Sequence, residues 1–379
     1  MNADVIIIGA GPAGASCAKR LSDAGVKVLI IESKKLPRAK PCAELISAQA
    51  FNFLKQEFKT DQNSPLFTYQ SSDVAFYAGQ KRITTLKSYS NTFYVDRRNF
   101  DNFLIESALA SGAELMDDSK VVNYDHELKK VYLQGGEQLQ AKFIVGADGP
   151  LSIVGKNLYG KIKNHRKNTA VGVVAKIPRE SVKLIIPDPG YCTRPNIYFS
   201  VINWGYGWVF PNKEYLNIGV AGLIQQNKNI KKSFEHFFEQ LPLKVKTAVN
   251  PVGHIVPFGK EAIRLGKQDT LLAGDAAGLV EPVTGEGIYF ALQSGLYAAQ
   301  TILTKLKSDC IMAHDYKKRC RPILRVLRQA NFLRCLLFHK RCHHSTIKLI
   351  GKRKKYAQNF MDILSGEIDY IGYCKKSLF

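Results

Sequence analysis

Asp4-Val-Ile-Ile-Ile-Gly-Ala-Gly-Pro-Ala-Gly14 opens the chain with an apolar, β-branched run that meets three glycines, and a helical pattern follows to Leu21. This order predicts a strand, a tight turn and a helix. Gly9 permits the turn, Gly11 lets the backbone approach a pyrophosphate, and Gly14 lets the helix lie close to the strand. The helix N-terminus, with free N–H groups and the positive end of the dipole, favours an anion at the same place.

A second apolar run supports this interpretation. Residues 26–31 form it, and Glu32 follows directly, eighteen residues after Gly14. A carboxylate at that spacing is placed to accept hydrogen bonds from an adenosine ribose. A glycine-rich turn without a ligand would need neither the second strand nor the carboxylate, so the sequence predicts a bound dinucleotide.

The totals limit the class of protein. A chain of 379 residues with 45% hydrophobic residues suggests two structural domains, or a dinucleotide domain with a second one inserted. The first strand starts at the beginning of the chain and runs into glycines, which argues against a secretory leader, and no apolar stretch approaches the ~20 residues of a membrane span. The eight cysteines show no CxxC spacing. We therefore expect a cytoplasmic protein whose cysteines are thiols.

The formal net charge of +22 is concentrated near the C-terminus. From Lys317 to Lys355 the chain carries fourteen Lys or Arg and no Asp or Glu. Such a block attracts an anionic partner: phospholipid headgroups, a diphosphate substrate or nucleic acid. Nucleic acid is not expected, because no recognition motif accompanies the charge.

The middle of the chain alternates strand and helix patterns. Residues 66–95 predict short strands, and Asp96 is placed to cap a helix over 100–111. An apolar strand then ends in the Gly-Asp-Gly turn of 146–149. From 170 to 223 the pattern is strand throughout, which predicts an inserted antiparallel sheet.

The dinucleotide domain resumes at Thr270-Leu-Leu-Ala-Gly-Asp-Ala-Ala-Gly278, followed by a helix that begins near Gly285. The predicted fold class is α/β: a Rossmann-like dinucleotide-binding domain, which the resemblance described next implies is a Rossmann-like FAD-binding domain, with an inserted antiparallel-sheet substrate domain and a helical C-terminal region. The predicted boundaries are 1–165 with 252–310 for the first, including a strand-rich excursion at 66–95; 166–251 for the second; and 311–379 for the basic helical region.

Three segments together resemble a known family. They are the N-terminal motif with Glu32, Gly146-Ala-Asp-Gly-Pro-Leu-Ser-Ile-Val154, and Leu272-Ala-Gly-Asp-Ala-Ala-Gly-Leu-Val-Glu-Pro-Val-Thr-Gly-Glu-Gly-Ile288. In this order they resemble the FAD-dependent oxidoreductases of the p-hydroxybenzoate hydroxylase structural superfamily. Lys40-Pro-Cys42 and Tyr206-Gly-Trp-Val-Phe-Pro211 are most similar to the geranylgeranyl reductase branch. The resemblance covers roughly residues 3 to 300.

The resemblance implies an FAD site with no metal. The residues it implies for FAD are Gly9, Gly11, Pro12, Ala13, Gly14, Glu32, Ser33, Arg97, Asp148, Gly149, Gly274, Asp275, Gly285, Glu286, Gly287 and Ile288. Asp275 is implied to reach a ribitol hydroxyl, and the helix start at 285–287 to stabilise negative charge on the pyrimidine edge of the reduced flavin. For Arg97 the alternative is a solvated residue at a helix start, and for Asp148 it is a common Asp-Gly turn.

The sequence holds one dinucleotide fingerprint. A flavoprotein with two Rossmann-like domains would need a second strand-GxGxxG-helix unit near the middle, where Gly205 and Gly207 lie within a strand pattern instead. We therefore expect NADPH, or another electron donor, to bind transiently in a groove without its own domain.

The predicted substrate side is aromatic. Tyr206, Trp208 and Phe210 alternate along one strand, so they share one face and can line an apolar pocket. The alternative is an aromatic face packed on a helix layer. Cys42, Tyr206 and Trp208 are the candidate catalytic residues. Similar reductases continue Lys-Pro-Cys with two glycines, whereas this chain has Ala43 and Glu44, so side chains replace bare backbone where the substrate or the flavin ring must approach closely. A buried Cys42 without chemistry is an equally open interpretation.

Two features lie near the C-terminus. The first is a group of cysteines and histidines, residue types that bind metals: Cys335, His339, Cys342, His343 and His344. Their spacing is not that of the usual zinc sites. The helix predicted over 322–338 carries an apolar stripe beside basic residues. This pattern indicates either a membrane-surface helix suited to a lipid substrate or a helix packed on the domain with a solvated basic face.

The sequence therefore predicts an FAD-dependent oxidoreductase that reduces carbon–carbon double bonds of an isoprenoid or lipid-like substrate with hydride from reduced flavin. We expect it in the cytoplasm, at the inner face of the membrane, with peripheral contact through 317–355. One alternative is an NAD(P)H-dependent flavin monooxygenase acting on an aromatic or apolar substrate. Another is a flavin-binding protein without turnover.

Overall fold

The computed structural model describes residues 3–160, 167–258, 263–308, 312–352, 354–365 and 372. The strands are β1 (Val5–Ile8), β2 (Val28–Ile31), β3 (Leu45–Ile46), β4 (Tyr69–Ala78), β5 (Lys81–Tyr94), β6 (Glu114–Met116), β7 (Val121–Asp125), β8 (Lys130–Leu133), β9 (Gln138–Gln140), β10 (Phe143–Gly146), β11 (Thr169–Pro178), β12 (Val182–Leu184), β13 (Asn196–Phe199), β14 (Gly205–Pro211), β15 (Tyr215–Leu223), β16 (Leu243–Val245), β17 (Val252–Pro257), β18 (Gly266–Lys267) and β19 (Thr270–Leu272). The helices are α1 (Pro12–Ser22), α2 (Ala48–Glu57), α3 (Arg97–Ala110), α4 (Ile153–Tyr159), α5 (Ile230–Glu239), α6 (Ile288–Lys307), α7 (Met312–Arg319), α8 (Arg321–Phe338), α9 (Lys340–Lys352) and α10 (Lys354–Ser365). The predicted α/β fold class is confirmed.

The first sheet is parallel except at one edge. Among the described residues its strand order is β18-β19-β10-β1-β2-β6, with only β18 antiparallel to its neighbour. The chain leaves the carboxyl ends of β1, β2, β10 and β19 at one edge, where parallel α/β sheets bind ligands. Gly9, Glu32, Asp148 and Asp275 all follow these ends within a few residues. Sequence positions far apart are therefore brought to one edge.

Two glycines of the opening motif are required by close packing. A methyl group on Gly14 would lie 2.0 Å from the carbonyl oxygen of Gly9, so helix α1 and the turn touch backbone to backbone. Gly9 has φ +107°, and its methyl group would lie 2.3 Å from the carbonyl oxygen of Ala147. Both contacts are backbone contacts that no rotamer change relieves. The predicted roles of these two glycines in the turn and the helix–strand packing are confirmed.

The second sheet differs from the prediction in its composition. Among the described residues its order is β17-β11-β15-β14-β13-β4-β5-β3, antiparallel apart from the parallel pair β4 and β13. The segment 66–95 forms a long hairpin of 10 and 14 residues rather than short strands, and it pairs with the inserted sheet. We expected this segment in the FAD-binding domain, but its backbone hydrogen bonds join it to the second sheet. The predicted division into three domains, with boundaries at 1–165 and 252–310, 166–251, and 311–379, stays a prediction.

The C-terminal helices cover one face of this second sheet. On that face Phe76, Phe199, Trp208 and Phe210 form a buried cluster with Leu333 and residues of α8 to α10. Helix α5 packs on the opposite face. The aromatic strand therefore both packs on a helix layer, as the alternative stated, and faces the cavity described below.

The apolar stripe of α8 is buried in the protein. Ile323 and Leu327 join the core of the first sheet, and Ala330, Leu333 and Leu337 join the cluster on the second. The interpretation of this stripe as a membrane-facing surface is wrong, because the same periodicity packs against protein. Within the described part of the chain, no helix combines the length and apolar character needed to cross a membrane.

Candidate active site

The N-terminus of α1 and the end of β2 form one corner of the site. The Glu32 carboxylate accepts hydrogen bonds from the backbone N–H of Ala10 at 3.0 Å and from Ser33 Oγ at 3.1 Å. This holds Glu32 beside the glycine turn in a buried position. A methyl group on Gly11 would meet only Arg38 Nη2, at 3.7 Å, so this glycine borders open space rather than protein.

A buried cluster of charges supports this corner, and the sequence analysis missed most of it. Arg38 lies 3.2 Å from Glu32 and 3.1 Å from Asp101. Asp101 in turn receives both Nε and Nη2 of Arg97, at 2.9 and 3.0 Å. Arg97 is only 3% exposed, so the alternative of a solvated residue at the helix start is wrong. Burial lowers the pKa of Arg97, but Asp101 and Cys42 outweigh it and raise the pKa above the usual value.

The turn after β19 carries a second carboxylate. Asp275 lies between Lys40 Nζ, at 3.3 Å, and His254 Nε2, at 3.9 Å. Burial raises the pKa of Asp275, but Lys40 and His254 outweigh it and hold the pKa well below its usual value. The carboxylate is therefore charged at neutral pH, at the position where the resemblance implied a ribitol contact.

The start of α6 closes the same side of the site. Gly285 has φ +74°, and Gly287 is the residue before the first helical turn, which lacks a side-chain cap. Glu286 receives a short hydrogen bond from Ser47 Oγ. Burial raises the pKa of Glu286 to about 7, Ser47 opposes it, and nearby Glu281 adds to it. Glu286 therefore holds a proton more readily than an exposed glutamate does.

These groups border a cavity of about 280 Å³ between the two sheets. Tyr206, Trp208 and Phe210 all line it, which confirms that they share a face. Their ring centroids are 5.9 and 6.2 Å apart in sequence order. Tyr206 Oη donates a short hydrogen bond to the carbonyl oxygen of Thr284. Burial raises the pKa of Tyr206, so its hydroxyl stays protonated at the cavity wall.

The loop that carries Cys42 is fixed by a buried network. Glu44 has φ +65° and is 1% exposed. Its carboxylate lies 2.7 Å from both Lys176 Nζ and Tyr215 Oη. Asn217 donates to Glu44 at 3.2 Å and to the carbonyl oxygen of Cys42 at 2.8 Å. Glu44 thus adopts a backbone conformation that glycine favours while its side chain anchors the loop to the second sheet.

Asp148 and Gly149 lie apart from this cavity lining. The Asp148 carboxylate accepts hydrogen bonds from Ser152 Oγ at 2.5 Å and from the N–H of Ile153 at 2.7 Å. These bonds cap the start of α4, and burial raises the pKa of Asp148 against them. The helix-capping bonds favour the simple turn over a direct cofactor contact, and the implied role of both residues stays a prediction.

In the part of the chain that the structure describes, the C-terminal cysteines and histidines do not come together in one metal site. Cys335 is exposed, and His343 bonds instead to Ser200, at 2.7 Å. In the described ranges no group of three or more His, Cys, Asp or Glu side chains could hold a metal ion.

The arrangement fits FAD. The N-terminus of α1 has no side-chain cap and no acidic residue in its first turn, so its N–H groups remain available to a pyrophosphate. The uncapped start of α6 offers a second set to the flavin ring. Glu32 and Asp275 would supply acceptors for the ribose and ribitol hydroxyls of a bound FAD.

Comparisons with known proteins agree with this fit. A family model described as an FAD binding domain matches residues 2–330. An uncharacterized protein of Methanosarcina barkeri is 32% identical over 87% of this chain and 82% of its own length. A digeranylgeranylglycerophospholipid reductase of Methanococcus vannielii is 28% identical over 80% of this chain and 78% of its own length.

A solved structure shares the fold. It is a geranylgeranyl bacteriochlorophyll reductase-like protein from Thermoplasma acidophilum, with a TM-score of 0.78. Its identity is 22%, and the alignment covers 100% of this chain and 95% of that one. At this identity the likeness concerns the fold.

Proposed function

This chain belongs to the FAD binding domain family, in the geranylgeranyl reductase branch of FAD-dependent oxidoreductases, and we propose that it reduces carbon–carbon double bonds of an isoprenoid or lipid-like substrate with hydride from reduced flavin. The supporting observation is one cavity that joins charged groups of the expected FAD site to a wall of apolar and aromatic side chains. Lys40, Asp275 and Gly287 border it on the flavin side, whereas Ile197, Phe199 and other apolar side chains continue it. An alkene needs such water-poor surroundings beside the flavin.

Cys42 is the proposed proton donor. Its side chain lines the cavity and acts electrostatically on the buried Arg97 guanidinium, whose pKa it helps to raise. Reduction of an alkene adds a hydride to one carbon and a proton to the other, and Cys42 Sγ would give that proton. The thiolate left behind would be stabilised by the positive charge of Arg97, as cations stabilise reactive thiolates elsewhere.

Tyr206 and Trp208 are proposed to shape the substrate side. Trp208 Nε1 donates to Asn217 Oδ1 at 2.9 Å, and Tyr206 is held by its bond to Thr284. Both rings thereby present carbon surface to the cavity while their polar atoms are satisfied by protein. They would hold an apolar chain and exclude water without transferring a proton.

The electron donor is proposed to be NADPH, or another reductant, acting on the flavin without a domain of its own. The basis is the single dinucleotide fingerprint in the sequence.

We also propose peripheral contact with an anionic membrane at the cytoplasmic face, through the outer face of α8. Arg325, Arg328, Phe332 and Leu336 follow each other at helical spacing, and the two apolar side chains are 68% and 39% exposed. In flotation with vesicles of anionic phospholipid, Phe332→Ser/Leu336→Ser is expected to reduce bound protein several-fold. Leu151→Ser, at a side chain 74% exposed elsewhere, is the control and should bind like wild type. Equal binding of all three proteins would contradict the contact.

The reductase function predicts how the flavin is reoxidised. Holoprotein reduced anaerobically with dithionite should be reoxidised by a geranylgeranyl lipid, with a saturated product, and only slowly by air. Cys42→Ala should be reduced normally but reoxidised by the lipid roughly 100-fold more slowly, because general acids contribute at least that much. Stopped-flow absorbance and mass spectrometry of the lipid give both measurements.

Cys192→Ala provides the matched control, since this free thiol packs with the cluster on the opposite face of the second sheet. It should reoxidise at the wild-type rate. Fast reoxidation by air only in the presence of an aromatic ligand would indicate the monooxygenase alternative. Flavin reduction without any product from lipid or oxygen would indicate a protein without turnover.

A further inference from the structure

Arg334 is a half-buried cation whose inner nitrogen atoms lack hydrogen-bond partners. Its Nε and Nη1 atoms are inaccessible to solvent and have no hydrogen-bond partner in the described part of the chain. Its guanidinium carbon lies 4.7 Å from the ring centroid of Phe258 and 5.7 Å from that of Trp204. All three side chains line the cavity. Burial lowers the pKa of Arg334, with Cys335 and Glu281 opposing.

The other basic side chains of the cavity have carboxylate neighbours. Lys40 lies 3.3 Å from Asp275, Arg97 lies 2.9 Å from Asp101, and His254 lies 3.9 Å from Asp275. Among the basic side chains that line the cavity in the described ranges, Arg334 alone forms no salt bridge with a carboxylate, although Glu281 acts on it electrostatically. Two solvent-inaccessible nitrogen atoms without acceptors cost free energy that an anion at this position would recover.

The place of Arg334 in α8 indicates the rim of the cavity. Phe338, one turn further along the same face, is buried and lines the cavity. Phe332, two residues earlier, is among the most exposed apolar side chains. Arg334 itself is half-buried and lines the cavity, so it lies between the apolar interior and solvent.

We propose that Arg334 binds the phosphate or diphosphate headgroup of the substrate while its apolar chain extends along Phe199, Trp208 and Phe210 towards the flavin. This rests on the proposed function, which it deepens by assigning an anionic head to the isoprenoid chain. Arginine suits the task because its planar fork pairs two oxygens of a phosphate. The aromatic contacts of Trp204 and Phe258 hold the guanidinium plane in place.

The test is equilibrium binding to oxidised holoprotein, which needs no turnover. Calorimetry would compare geranylgeranyl diphosphate with geranylgeraniol in the same detergent. Wild type should bind the diphosphate roughly 10- to 100-fold more tightly, the range expected for hydrogen bonds to a charged group. Arg334→Met should abolish this preference while binding the alcohol like wild type, and Arg334→Lys should keep part of it.

Arg321→Met is the matched control, because Arg321 is exposed on the same helix, lies outside the face proposed for membrane contact and does not line the cavity. It should retain the full preference. A third ligand, a digeranylgeranylglyceryl phosphate, distinguishes a lipid phosphate from a free prenyl diphosphate by which of the two binds more tightly. No preference for the anion in wild type, or an undiminished preference in Arg334→Met, would overturn the inference even if the reductase reaction proceeds.

Discussion

A single methyl group at Gly14 is expected to prevent folding, whereas the same methyl group at Gly11 is expected to leave the fold intact and weaken FAD binding. In Gly14→Ala the new carbon would lie 2.0 Å from the Gly9 carbonyl oxygen, and neither backbone can retreat without separating α1 from β1. A loss of more than about 4 kcal/mol of unfolding free energy is the expected size for such a strained core position. Little soluble protein should remain.

Gly11→Ala faces no such contact. The methyl group would meet only the end of Arg38, at 3.7 Å, and the backbone at Gly11 has φ −86°, which alanine adopts freely. It would instead occupy the space where a pyrophosphate approaches. Circular dichroism and thermal unfolding should match wild type, and fluorescence titration should show FAD affinity reduced roughly 10-fold or more. A folded Gly14→Ala protein, or a Gly11→Ala protein with unchanged affinity, would contradict these roles.

Local patterns were sufficient for the first sheet and its edge. The strand-turn-helix motif was predicted because its glycines, apolar run and carboxylate follow each other along the chain, and β1, α1 and β2 form where expected. The cap of α3 was also predictable, since Asp96 accepts from the N–H of Arg98 and Asn99 just before the helix. Both are interactions between near neighbours in sequence.

Contacts between distant segments were not predictable in the same way. The hairpin of 66–95 shows the alternation of any strand pair, and only tertiary packing decides that β4 pairs with β13. Likewise the stripe on α8 has the same spacing whether lipid or protein covers it, and here protein does. The role of Arg38 could not be predicted from the sequence, because it depends on a contact with Asp101, which is 63 residues away.

Glu44 shows how a departure from a family pattern is resolved. The sequence places a side chain here where the substrate or the flavin ring must approach closely. In the structure the backbone of Glu44 keeps a glycine-like φ of +65°. Its carboxylate forms an ion pair with Lys176 and accepts a hydrogen bond from Tyr215. A polar side chain in a left-handed conformation costs about 1–3 kcal/mol, which these buried bonds offset. The loop remains at the cavity, anchored from the other sheet.

Asp275→Ala is expected to reduce FAD affinity by roughly 100-fold. The charged carboxylate is the acceptor proposed for a ribitol hydroxyl, and hydrogen bonds to charged groups contribute about 1.5–3 kcal/mol. The measurement is retention of flavin through gel filtration, followed by titration of the apoprotein with FAD. Asp275→Asn keeps the shape and an acceptor oxygen, so it should lose less affinity than the alanine variant.

A double variant with Lys40 distinguishes two reasons why Asp275→Ala could weaken FAD binding: the lost acceptor and the unpaired lysine. Removing the carboxylate also leaves Lys40 without its partner at 3.3 Å, and an unpaired cation in a buried site is itself costly. In Lys40→Met/Asp275→Ala that cost is absent. If the acceptor role is correct, the double variant binds FAD as weakly as Asp275→Ala, because the ribitol hydroxyl still lacks its acceptor. Restored affinity in the double variant would show instead that Asp275 serves only to neutralise Lys40.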